Sequence, residues 1–257
     1  MTDGALLGVI RPPTRVPGTS VNLTRGRCTG VGGTVTVTDG KLTAAAVLPV
    51  VMRGRLAVVA VLASLVVLLL GVRYAGDTGP GRTDARIGEA AYGVGAPWWH
   101  LAHATDFLGD PGGALLLLTA GVVGCLKARR TRAAVLLLVG PGLAVGVTRL
   151  LKPLAARTIN GDDNLAFPSG HTAFLTAFAL ALALLAAGRS GLGPTSGTVL
   201  ALAAASAAGA LMGWAQVATG AHYPTDTVGG CCTALAVVPA VAWAVDRLAD
   251  ARHPHKG

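Results

Sequence analysis

Beyond Arg55 the chain divides into six apolar segments: Leu56–Val72, Gly112–Leu126, Ala133–Val147, Thr172–Ala187, Val199–Ala218 and Thr227–Val245. Each holds roughly 15–20 residues, about 23–30 Å as helix, which is short to adequate for a bilayer. Glycine and alanine recur inside them, as expected where membrane helices approach closely. Only 13% of the 257 residues are charged, against roughly 25% in a typical soluble domain. So few ionic groups do not cover a soluble surface, which argues against a soluble enzyme and excludes disorder of the whole chain. The fold class expected is all-α: a polytopic membrane helical bundle of about six transmembrane helices.

The net charge of +9 reads first as a topology signal. Six spans put both termini on one side. If that side is cytoplasmic, the KARRTR turn (Lys127–Arg132) and the basic residues flanking the first and last spans lie inside. Arg73, Arg82, Arg86, Arg149, Lys152 and Arg157 then lie outside. Nucleic acid is not the partner this excess implies; the membrane is. Cys28, Cys125, Cys231 and Cys232 show no C-x-x-C metal spacing.

Residues 1–51 read as an irregular, disordered tail, with VGGTVTVTDG as its one candidate hairpin. Met52-Arg53-Gly54-Arg55 before an apolar run has the pattern of a signal-anchor start, so the tail reads alternatively as a misassigned start. Residues 52–250 form the membrane domain, and 251–257 a short basic tail.

Two outer stretches flank the spans. In PWWHLAHATDFLGDP, Trp99, His103 and Asp106–Phe107 fall at helical spacing between prolines. That pattern fits an interfacial helix with aromatic anchors or a lid over a lipid-entry site. His100 and His103 lack partners at metal-ligand spacing, and Asp162 and Asp163 read as solvated. No metal or other cofactor is expected.

The chemistry gathers at one membrane face. Lys152 and Arg157 follow the third span, Pro168-Ser169-Gly170-His171 opens the fourth, and His222 with Asp226 opens the sixth. Ionisable groups at facing helix ends mark a functional site. A helix beginning at Ser169 and Gly170 offers free N–H groups and the positive dipole end to phosphate. Lys152 and Arg157 would add cationic donors, or else snorkel at a helix end. His222 and Asp226 are one turn apart, so the carboxylate can fix one imidazole nitrogen and free the other to attack. His171 supplies a second proton-transfer group.

KPLAAR, PSGH and HYPTD, in that order, resemble the motifs of the type 2 phosphatidic acid phosphatase superfamily of membrane lipid phosphatases, which shares motifs and fold with vanadium haloperoxidases. The resemblance spans residues 52–250. It implies a phosphohistidine mechanism without metal: His222 as nucleophile, Asp226 orienting it, His171 as general acid. Lys152, Arg157, Ser169 and Gly170 would hold the phosphate. Two positions depart from the family pattern of K-x6-R-P and S-R-x5-H-x3-D. Ile159-Asn160 stands where Arg-Pro is expected, and Ala215-Gln216 replaces Ser-Arg. Gln216, a substituted clamp, keeps hydrogen bonding without charge, which implies altered rather than lost activity. The expected function is hydrolysis of a lipid phosphomonoester or pyrophosphate (isoprenyl pyrophosphate or glycerolipid phosphate) at an outward-facing site of a bacterial plasma membrane. Phosphotransfer to another alcohol, and lipid-phosphate binding or transport without turnover, are the alternatives.

Overall fold

The computed structural model of the chain describes residues 37–38, 41–42, 46–91 and 95–252. Eight α-helices follow in chain order: α1 (Arg53–Arg73), α2 (Arg82–Ala91), α3 (Ala96–Phe107), α4 (Pro111–Lys127), α5 (Thr131–Ala155), α6 (Gly170–Arg189), α7 (Pro194–Ala218) and α8 (Pro224–Ala251). Proline in the first turn opens α3, α4, α7 and α8, where its missing N–H costs nothing. The expected spans all appear as helices, within α1 and α4 to α8. Among the described residues, α1 (with the short 3-10 turn before it), α5, α6, α7 and α8 are long and apolar enough to cross a membrane. The sixth span is α3 and α4 taken as one element bent by 62°. The chain is thus an all-α polytopic membrane bundle.

The most enclosed helix is α6, whose Ala173, Ala177, Leu180, Ala181 and Leu184 face the main core. It packs against α5, α7 and α8, with α4 outside α5, α3 on α7, and α1 running chiefly along α8. Small residues permit this closeness. At Gly230 of α8, a Cβ would stand 2.3 Å from the Ser169 carbonyl oxygen, so only glycine lets α8 meet the start of α6. The exposed leucines and valines of α1, such as Val58, Leu62 and Leu69, are what a lipid-facing helix presents.

The two-residue strands Val37–Thr38 and Lys41–Leu42 pair antiparallel within and just beyond the expected hairpin. Most of the expected tail and residues 253–257 lie outside the described residues. The boundary drawn at residue 52 falls inside packed structure: Val47, Leu48 and Met52 belong to the core. The N–H groups of Val47 and Leu48 donate to the buried Asp246 carboxylate at 2.9 and 3.0 Å. Arg53 and Arg132 flank that carboxylate at 3.5 and 3.6 Å, joining α1 and α5 to the far end of α8.

Replacing Gly230 by Ala should force α8 away from the PSGH segment. Overpacking of this kind costs about 1–3 kcal/mol, to be read as a lowered thermal midpoint in detergent together with reduced turnover.

Candidate active site

Two helix beginnings and two helix ends make the site. At the first beginning, Ser169 caps α6: its hydroxyl accepts from the Thr172 N–H at 3.4 Å and from the Thr172 hydroxyl at 3.1 Å. Its own N–H donates to the Asp226 carbonyl at 3.0 Å, which ties the start of α6 to the start of α8. The first-turn N–H groups of Gly170 and His171 have no intrahelical acceptor. They stand where the sequence leads one to expect an anion seat. Ser169 contributes to it by capping rather than by contact, because its side chain is fully buried.

At the second beginning, Asp226 reaches back to the N-cap of α8, where its Oδ2 accepts from the Tyr223 N–H at 3.0 Å. The same oxygen lies 3.5 Å from Nδ1 of His222. That is longer than a formed hydrogen bond, but it faces the nitrogen toward the carboxylate. Burial holds the His222 imidazole below its ordinary pKa, against the opposing pull of Asp226 and with smaller lowering by Lys152 and His171. His222 is therefore neutral through the neutral range, the form a nucleophile needs.

Lys152 lies in the last turn of α5, not beyond it, and its ammonium donates to the Leu165 carbonyl at 2.5 Å. That carbonyl is set by the Thr158–Leu165 bridge closing the loop between α5 and α6.

Arg157 goes elsewhere than expected. Its guanidinium has no exposed surface. One terminal nitrogen donates to Asp226 Oδ1 at 2.6 Å and to the Thr225 hydroxyl at 2.7 Å, and the other to Asp84 Oδ2 at 2.6 Å. The Tyr74 and Tyr223 rings sandwich it, with centroids 4.2 and 4.5 Å from Cζ. Its Nε lacks a partner among the described residues, yet no surface is open through which a lipid phosphate would meet it. Arg157, expected from the sequence to hold the phosphate, thus has each terminal nitrogen on a carboxylate.

The bend between α3 and α4 covers His171. A Cβ on Gly109 would sit 2.3 Å from the His171 ring, so glycine lets the elbow rest on the imidazole. Asp110 Oδ1 stands 3.1 Å from His171 Nε2, and Asp106 Oδ1 3.8 Å. The Gln216 amide donates to Asp106. Trp98 of α3 meets Trp214 of α7 edge to face at 6.4 Å. The α3–α4 elbow thus packs on α7 and rests against His171. Sequence reasoning missed Asp84, Asp106 and Asp110 as members of the site.

Residues 151–250 match the family model described as the PAP2 superfamily. That stretch contains Lys152, PSGH and the His222–Asp226 pair. A crystal structure described as the first transmembrane PAP2 type phosphatidylglycerolphosphate phosphatase from Bacillus subtilis has a fold similar to the one seen here. Its TM-score is 0.57 at 20% identity, covering 77% of this chain and 98% of that one. No curated protein matches the chain.

Since burial lowers the His222 pKa, the acid limb of kcat/KM should fall below the ordinary imidazole value of about 6.5. A pH–rate profile checks this; a limb above that value would contradict a buried nucleophile.

Proposed function

We propose that the protein is a lipid phosphate phosphatase working through a phosphohistidine. The observation that carries this reading is the His222–Asp226 pair set beside the N-terminus of α6 and His171 in a PAP2 segment. His222 Nε2 attacks phosphorus while the phosphorus–oxygen bond to the leaving group breaks, and His171 gives its proton to that oxygen. Water then attacks the phosphohistidine, the nitrogen–phosphorus bond breaks, and the water's proton passes to His171. The free N–H groups of Gly170 and His171, with Lys152, receive the phosphoryl oxygens. Ser169 holds that seat in shape.

A lipid substrate is supported by an apolar groove of about 690 Å³ between α1, α5 and α8. It is lined by residues such as Leu68, Val147, Leu151 and Val237, and it reaches Ala155 and Phe167, two residues before Ser169. An isoprenyl or acyl chain would lie there with its phosphate, or terminal pyrophosphate, at the helix ends. The excess of basic residues at the opposite end of the bundle supports an outward-facing site in a plasma membrane.

Gln216 favours a second reading. The clamp position is a neutral amide already donating to Asp106, which fits a protein that binds lipid phosphate without turnover. Phosphotransfer differs from hydrolysis only in the acceptor of the second step.

The purified protein should release phosphate from one or more members of a panel of isoprenyl and glycerol lipid phosphates, with vanadate inhibiting. His222→Ala should lose essentially all turnover; full activity in that variant would end the mechanism. Gln216→Arg should raise kcat/KM on phosphomonoesters, whereas binding with no turnover in either form would favour the second reading. Product analysis with an acceptor alcohol separates transfer from hydrolysis.

A further inference from the structure

We infer that Asp84 of α2 is a positioning residue for the reaction, acting through Arg157 on the Asp226–His222 pair. This rests on the phosphatase reading and adds to it a residue outside the matched segment.

Asp84 is only 1% exposed, and each of its carboxylate oxygens is spoken for. Oδ1 accepts from the Thr225 N–H at 2.9 Å, while Oδ2 accepts from the Thr225 hydroxyl at 3.0 Å and from Arg157 at 2.6 Å. Thr225 immediately precedes Asp226 in the first turn of α8. Asp84 therefore grips both supports of Asp226, the backbone beside it and the guanidinium bonded to it.

The charge count explains why a second carboxylate belongs there. Arg157 paired with Asp226 alone would be a neutral couple, and the guanidinium would draw the carboxylate's charge away from His222. With Asp84 on the other nitrogen the buried triad carries one net negative charge. Asp226 then keeps its power to accept from Nδ1 as His222 becomes cationic on attacking phosphorus. The fork geometry of arginine lets one side chain serve two carboxylates at once, and the two tyrosine faces keep it flat between them.

The charged and titratable groups around His222 are Asp226 on α8, Lys152 on α5 and His171 on α6. Asp106 and Asp110 of the elbow face His171 in turn. Asp226 apart, none of these bonds Arg157, and Asp84 bonds none of them, so changing Asp84 acts on Arg157 and Thr225 rather than on His222 directly.

The test is Asp84→Asn in the full-length protein, assayed on the best lipid phosphate of the panel and for inhibition by inorganic phosphate. Misplacement of a catalytic group by about 1 Å costs on the order of 10²-fold, so kcat should fall by about that factor with KM and phosphate inhibition unchanged. Loss of the negative charge should also move the acid limb of the kcat profile to lower pH, because His222 then holds its proton less well. Asp84→Glu should recover part of the rate. In an Asp226→Asn background, Asp84→Asn should cost little more, since residues that act in series are not additive. A raised KM with weakened phosphate inhibition would overturn the inference in favour of direct phosphate contact. Additive losses in the double variant, tracking a lowered thermal midpoint, would overturn it in favour of a purely structural role. A wild type that releases no phosphate from any lipid would overturn the phosphatase reading itself, and this inference with it.

Discussion

A guanidinium with no exposed surface holds the site together. Placing a charge there costs several kcal/mol in desolvation, and it persists only where geometry and further hydrogen bonds compensate. Arg157 meets those terms with two carboxylates, one hydroxyl and two aromatic faces. Arg157 lies in the loop before α6, and its partners come from α2, from Tyr74 at the end of α1 and from the start of α8, so one ion ties that loop to three other pieces of chain. The Ser169 N–H donating to the Asp226 carbonyl extends the same framework to the start of α6. The anion seat and the histidine pair are thereby set at a fixed spacing.

Set against this rigid half, the elbow between α3 and α4 forms the other wall. It brings Asp106 and Asp110 to His171 and Gln216, on the side where the family pattern would place an arginine. Cations are therefore scarce where phosphate would sit: Arg157 is committed elsewhere, and Lys152 shares its ammonium with a carbonyl. The backbone N–H groups of α6 become correspondingly more important as charge-independent donors.

Much of this was legible from sequence, and the reasons are physical. A span must be apolar over its whole length, so six apolar runs located six of the helices without any tertiary information. PSGH and H-x3-D are local: a helix cap and a one-turn spacing set their geometry, and the structure shows the Ser169 cap and faces His222 toward Asp226. The carboxylate partners of Arg157 were not legible, because spacing along the chain says where a side chain starts and nothing about which way it turns. Asp84 gave no signal, since its partners lie 73 and 141 residues away. The packed segment around Val47 and Leu48 was hidden likewise, as its partner Asp246 is about two hundred residues distant in sequence.

The separation between those partners also sets an order of assembly. Helix α2 has ten residues, too few to cross a bilayer, and it meets α7, α8 and, through Asp84, the Arg157 loop before α6. Asp84 is made before any of its partners, yet it has nothing to bind until Arg157 and the last helix are in place. The full set of bonds to Asp84 therefore closes only once the start of α8 has been made. A chain halted before α8 would carry His222 but neither Thr225 nor Asp226; of Asp84, Thr225 and Asp226, which accept from the Arg157 guanidinium, only Asp84 would remain.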